Sequence, residues 1–274
     1  MNLVSKCSVG LVATVALLAG CTHAELGDEV EDTESVEQGK IIGQNDLVPV
    51  LQDGANIPAK YSPILDAFGV MTMGCTATHI GNGLAVTAGH CFNAPSRRKD
   101  NAPCTGVSVH WGTRKDKPSY LSSQCTIILA METNRNRDYA FFKVDDVPPV
   151  KLDIDFASRP ALDTELTIFG HPKRRPLEWS KTCALKAGSV GGWGIDHFSH
   201  QCDTEPGSSG SSILDDRTLK IIGIHDGGTS SWNYGTYLTN TPVAEFVSTV
   251  ADAPADEVPE GGVTEGGVTA AGEE

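Results

Sequence analysis

An all-β fold, a sandwich or a barrel built from many short strands, is predicted by three observations. Apolar or alternating runs of about four to eight residues recur between turn-forming residues, the signature of strands buried on one or both faces. Gly and Pro are plentiful, 29 and 15 in 274 residues, as a chain with many tight reversals requires. The segment Pro242 to Val250 alone has helical spacing. In chain order the expected strands are Gly83 to Ala88, Val107 to Trp111, Thr126 to Met131, Tyr139 to Val144, Leu166 to Phe169 and Ile221 to Ile224. Asn82-Gly83 lies between Thr76 to Ile80 and Leu84 to Thr87, and this dipeptide favours a two-residue hairpin whose central positions both need positive φ.

Hydrophobic residues make up 39% of the chain, enough for a sizeable core, which excludes disorder over most of the length. There are 35 acidic and 21 basic residues, a formal charge of −14, but the charge is uneven. Residues 22–40 hold seven acids and one base, 251–274 hold seven acids and no base, and 41–250 carry only −2. Neither acidic tail has the apolar content to fold, and the second contains a direct repeat, Glu260 to Thr264 and Glu265 to Thr269. The folded unit is therefore expected over 41–250. A nucleic-acid partner is excluded, because phosphate neutralisation needs clustered cations and Lys173-Arg174-Arg175 is an isolated basic run.

Residues 1–20 read as a signal peptide: Lys6 precedes an apolar run, Val9 to Ala19. That run is about half of the roughly 20 residues a membrane span requires. Leu18-Ala19-Gly20-Cys21 resembles a bacterial lipobox, which would make Cys21 a lipid anchor; an ordinary secretory cleavage site is the alternative. Either way the chain is exported, anchored in a bacterial envelope or secreted after processing, with 21–40 as a linker or pro-segment and 251–274 as an acidic tail. Setting aside Cys7 and Cys21 leaves six cysteines, which outside the cytosol read as three disulfides. Neighbours in sequence suggest Cys75 with Cys91, Cys104 with Cys125, and Cys183 with Cys202. No Cys-x-x-Cys spacing supports zinc, and no metal or other cofactor is expected.

Three segments carry the chemistry. Thr87-Ala88-Gly89-His90-Cys91 puts a histidine at a strand end, beside a cysteine whose disulfide would pin the loop; a general base needs such positioning. Arg137-Asp138-Tyr139 opens a hydrophobic strand with a carboxylate, which can hold a histidine in one tautomer. Cys202 to Leu214 contains Gly207-Ser208-Ser209-Gly210, where small residues let successive N–H groups turn toward one point. The α/β-hydrolase elbow is excluded, since Ser211 stands where that motif has glycine and the order His, Asp, Ser is wrong for it.

Together these segments resemble the trypsin-like serine proteases over about 41–250. The resemblance implies two six-stranded antiparallel β-barrels with a short C-terminal helix, the first carrying His90 and Asp138 and the second Ser209. It implies Ser209 as nucleophile, His90 as general base and then acid, Asp138 as its orienting partner, the N–H groups of Gly207 and Ser209 as oxyanion hole, and protein or peptide substrates. Trypsin has Asp before the nucleophile, whereas Ser208 stands here. Cys202-Asp203-Thr204, Gly207-x-Ser209-Gly210-Ser211 and Ile222-Gly223-Ile224-His225-x-Gly227-Gly228 are closer to the bacterial glutamyl endopeptidases. In that branch the places of Thr204 and His225 bind a substrate carboxylate. Asp226 is out of pattern: in the pocket it would repel an acidic side chain and imply a trypsin-like protease of broad or basic specificity, while the alternatives are that it faces solvent or holds His225 protonated. Lys40-Ile41-Ile42-Gly43 resembles a maturation junction, implying a processing protease that cuts after Lys40 and a place for Ile41 at the pocket. A non-catalytic surface protein on the same scaffold is the rival function. The histidines at 79, 110, 171, 197 and 200 are given structural roles.

Overall fold

The structure, a computed structural model, describes residues 39–92, 99–157, 159–187, 194–229 and 231–251. The expected signal peptide, Cys21, the linker up to residue 38 and the tail beyond residue 251 lie outside the described residues. In chain order the strands are β1 (Val48–Pro49), β2 (Phe68–Met71), β3 (Thr76–Gly81), β4 (Leu84–Thr87), β5 (Lys99–Ala102), β6 (Ser108–Trp111), β7 (Leu121–Thr133), β8 (Asp138–Val144), β9 (Glu165–Gly170), β10 (Glu178–Ala187), β11 (His197–His200), β12 (Ser212–Asp215), β13 (Ile221–Gly228) and β14 (Asn233–Tyr237), followed by helix α1 (Val243–Ala251).

Two closed barrels result. In the first, β7, β6, β2, β3, β4 and β8 pair in that order and β8 returns to β7, with β5 added outside β7. In the second, β10, β11, β14, β13, β12 and β9 close through β9 to β10, with β1 added outside β10. All of these pairings are antiparallel. Closure removes the open edges that a flat sheet would expose. The architecture is the one the sequence resemblance implied.

The six strands read from hydrophobic pattern are all present. Asn82 and Gly83 have φ of 51° and 72°, the hairpin that needs two left-handed residues. β7 begins five residues earlier than the apolar run suggests, because its first half alternates Ser and Cys inward with polar residues outward. The strands that hydrophobicity did not reveal belong chiefly to the second barrel, where β11, His-Phe-Ser-His, is buried throughout. Phe198 alone joins the apolar core and the other three residues are buried but polar, so an apolar period does not mark it.

Aromatic packing joins the barrels. Phe68 of β2 stacks on Phe169 of β9 with ring centroids 5.3 Å apart, and Tyr61 meets Phe169 at 5.2 Å and Trp179 at 5.3 Å. Helix α1 follows the second barrel and returns to the first, placing Phe246 5.4 Å from Phe141 of β8. The disulfides are Cys75–Cys91, Cys104–Cys125 and Cys183–Cys202, the pairs read from the sequence.

Phe169→Ala is expected to cost about 3–5 kcal/mol, the range for emptying a fully buried aromatic site, because its ring touches both barrels. Urea denaturation followed by tryptophan fluorescence measures this; a loss under about 1 kcal/mol would show that the two barrels are held together elsewhere.

Candidate active site

His90 sits in a short 3₁₀ turn, Gly89–Phe92, directly after β4. Its backbone N–H donates to Asp138 Oδ1 at 2.9 Å, and its ring Nδ1 lies 2.5 Å from Asp138 Oδ2. Both carboxylate oxygens therefore face one residue. A carboxylate accepts, so Nδ1 carries the proton and the opposite nitrogen, Nε2, keeps its lone pair free to take one. Burial disfavours the imidazolium, but the charge of Asp138, its hydrogen bond and the charge of Asp226 together outweigh burial and raise the pKa above 6.5. Asp138 is itself 4% exposed at the start of β8. Its N–H donates to Thr236 Oγ1 of the second barrel at 2.9 Å.

Ser209 lies in a loop of the second barrel bounded by two left-handed glycines, Gly207 with φ 98° and Gly210 with φ 84°. Ser208 N–H is spent on Glu205 O at 2.9 Å. The flanking N–H groups of Gly207 and Ser209 have no acceptor among the described residues, leaving two donors on either side of an occupied one. Thr76, at the head of β3, ties this loop to the first barrel. Its N–H donates to Ser209 O at 2.9 Å, its hydroxyl donates to Gly207 O at 3.1 Å, and its Oγ1 accepts from His171 N at 2.9 Å. A Cβ on Gly210 would collide with Thr87 Oγ1 and Thr76 O, so only glycine lets the Ser209 loop reach the strand end that leads to His90. The basic run seen in the sequence supports the same loop: Lys173 Nζ reaches Glu205 Oε1 at 2.5 Å, and Arg175 pairs with both Glu178 and Glu205.

Thr204 and His225 come together behind this loop. Both are fully buried, and Thr204 Oγ1 and His225 Nε2 have no hydrogen-bond partner among the described residues. His225 Nδ1 lies 3.0 Å from Tyr234 O and 3.3 Å from His200 Nε2. Since a carbonyl only accepts, Nδ1 carries the proton and Nε2 presents a lone pair. Burial, with His200 nearby, holds the His225 pKa well below 6.5, and burial brings His200 to about 3.

Gly39 covers the pair. A side chain there would collide with Thr204 Oγ1 and His225 Nε2. Asn233 grips the next residue from both sides: Lys40 N–H donates to Asn233 Oδ1 at 2.8 Å, and Asn233 Nδ2 donates to Lys40 O at 2.7 Å. Asp203 receives Ile42 N–H at 2.8 Å and Asp46 N–H at 2.6 Å. Ile41 is half-buried two residues beyond the one that meets the pair. Asp226 contacts His197 Nε2 at 2.9 Å and accepts from Thr236 Oγ1 at 2.7 Å, away from Thr204.

His79 is held at 2.6 Å by Val150 O, and His171 at 3.0 Å by Arg175 O; burial brings the His171 pKa to about 4. Cys75, His90 and Cys91, and likewise Cys183, His200 and Cys202, have the proximity of metal ligands, but their sulfurs are joined in disulfides and offer no thiolate. Sequence reading missed Thr76, Thr236, Asn233 and Gly39. Nothing in a lone Thr, Asn or Gly announces a contact with a residue about a hundred or more positions away, although the position of Thr76 beside Cys75 was a usable hint.

Comparison with known proteins agrees with the fold. The model of the trypsin-like peptidase domain family matches residues 75–224, a span that includes His90, Asp138 and Ser209. No curated sequence matches the chain. Among solved structures, a Glu endopeptidase superposes with a TM-score of 0.58 at 20% identity, covering 77% of this chain and 98% of its own. Rv3671c from M. tuberculosis, in an inactive form, superposes with a TM-score of 0.50 at 15% identity, covering 72% of this chain and 92% of its own. At these identities the likeness is one of fold. With the family match spanning more than half of its length, the chain belongs to the trypsin-like peptidase domain family.

Proposed function

We propose that this protease is an exported serine endopeptidase that cuts after glutamate. The observation that carries the reading is the His90–Asp138 pair, with its Nδ1 to Oδ2 distance of 2.5 Å, set beside the loop of Ser209. In this reading His90 Nε2 takes the proton of the Ser209 hydroxyl as the oxygen attacks the scissile carbonyl. The N–H groups of Gly207 and Ser209 receive the negative charge on the carbonyl oxygen. His90 then protonates the leaving amine, and water repeats the sequence to release the acyl group. Asp138 supports the imidazolium formed on the way.

Glutamate preference is supported by the two unpartnered polar atoms of Thr204 and His225. A buried hydroxyl and imidazole facing one point are costly unless a ligand satisfies them. A carboxylate accepts from the Thr204 hydroxyl and, once His225 Nε2 gains a proton, from the imidazolium. A basic preference would draw on Asp226, but its carboxylate is engaged by His197 and Thr236. Export is supported by the three disulfides, which suit an oxidising compartment, and anchoring through Cys21 remains part of this proposal.

Maturation after Lys40 follows from the same site. Gly39 occupies the space against Thr204 and His225, whereas Lys40 is exposed. A cut after Lys40 removes the cover and parts the enzyme from any lipid on Cys21. Intact mass of the active form is expected to begin at residue 41; an active form that begins at residue 21 would defeat this step.

A fluorophosphonate probe is expected to label the matured protein, with labelling abolished in Ser209→Ala and retained in Ser208→Ala. Labelling that survives Ser209→Ala would overturn the assignment of the nucleophile and, with it, the reading.

Among peptide amides with Glu, Gln, Lys or Phe before the cut, the Glu series is expected to turn over fastest. Binding a carboxylate raises a His225 pKa that is low in the empty site, so binding takes up a proton. The KM for Glu peptides should therefore rise with pH above neutrality, by up to about tenfold per unit, while the KM for Gln peptides stays flat. No turnover of the Glu series would sink the glutamyl assignment.

A further inference from the structure

Behind the catalytic carboxylate stands a second one. Asp226, 4% exposed, lies in the strand pair β13–β14, where the register breaks between His225 and Gly227. A bulge of this kind re-aims a side chain out of strict alternation. Asp226 Oδ2 accepts from Thr236 Oγ1 at 2.7 Å and lies 2.9 Å from His197 Nε2. Thr236 and His197 are register partners on β14 and β11, and both are fully buried. Because Thr236 gives its only proton to Asp226, its lone pair is left to accept Asp138 N–H at 2.9 Å. The order from the active site inward is His90, Asp138, Thr236, Asp226, His197, crossing from the first barrel into the second.

The geometry points to Asp226 and His197 as a second carboxylate–imidazole pair that positions Asp138 through Thr236 and acts on His90 by its charge. This rests on the reading of His90 as general base. Neither residue touches the reacting atoms; they are positioning residues. Asp226 fixes the direction of the Thr236 hydroxyl, and Thr236 fixes the backbone from which the Asp138 side chain projects. His197 offsets the charge of Asp226, which otherwise would bear on the buried Asp138 and, through it, on His90.

The electrostatics agree in sign. Burial opposes charge on His197, but Asp226, by charge and hydrogen bond, then Asp138 and a bond to the Asn136 backbone, raise its pKa above 6.5. Asp226 likewise contributes to raising His90. The other charges facing this array are matched among themselves: Asp196, next to His197, pairs with Arg137 and Arg159, and Arg137 also faces Glu132 at 3.5 Å. His225 and His200 are kept neutral by burial.

The test is the pH profile of kcat and kcat/KM for one peptide amide in wild type, Asp226→Asn, His197→Gln and the double variant. Asn keeps an acceptor for Thr236 while removing charge, so the acid limb should move to lower pH by roughly one unit, with KM changed less than about twofold. His197→Gln leaves the carboxylate without its imidazole, so the limb should move to higher pH, and the double variant should return toward wild type. A structural role alone would not give shifts of opposite sign that cancel. Acid limbs that coincide with wild type in both single variants overturn the inference. Asp226→Asn, nearly isosteric, decides the matter by itself if His197→Gln does not fold. Fluorophosphonate labelling at alkaline pH separates the two layers: labelled variants with unmoved limbs refute only this pair, whereas an unlabelled wild type refutes the triad beneath it.

Discussion

Thr76 joins the two halves of the site. Its N–H holds Ser209 O, its hydroxyl holds Gly207 O and receives His171 N–H, and its carbonyl receives Thr87 Oγ1 at 2.7 Å. The preceding residue, Cys75, is bonded to Cys91, the neighbour of His90. Through two adjacent residues the loop of Ser209 and the turn of His90 are therefore tied to the head of one strand. Each bond contributes only about 1 kcal/mol to stability, but a shift of about an ångström between base and nucleophile can cost about a hundredfold in rate.

Around its apolar core the second barrel buries an unusual number of polar side chains. His197, Ser199 and His200 on β11, with Asn233 and Thr236 on β14, are buried, and a polar interior costs stability unless each group finds a partner. The ladder satisfies most of the strand backbone, and a few side chains complete it, as Ser180 Oγ does in accepting Ile168 N–H at 3.0 Å. Histidine is set to opposite states a few residues apart. His90 and His197, each facing a carboxylate, are pushed toward the charged form, whereas burial brings His171 to about 4 and His200 to about 3. One side-chain type is thus held in different charge states according to what lies within a few ångströms.

The large negative charge bears little on this machinery. The net charge arises mostly in 22–40 and 251–274, where acids are not matched by bases, while the basic run at Lys173 and Arg175 is consumed in holding Glu205 and Glu178. The segment that begins at Gly39 bears on it directly, because Asn233 and Asp203 fasten the backbone of Lys40, Ile42 and Asp46. The N-terminal approach to the barrel is thus part of the site.

Residue order alone determined the strand-rich class, the hairpin at Asn82-Gly83, the three disulfide pairs and the segments around His90, Asp138 and Ser209. Each of these is a local signal: a period, a turn dipeptide, a cysteine spacing or a short motif whose meaning survives without knowing its neighbours. The tertiary structure decided the rest. It placed Asp226 against His197 and Thr236 and away from Thr204, set Gly39 over His225, and made Thr76 the link between barrels. Those outcomes depend on a bulge in β13, on which face of a closed barrel each residue takes, and on contacts across as many as 193 positions. A one-residue change of register reverses the face of every later side chain in a strand, so such contacts exist only once both barrels have closed.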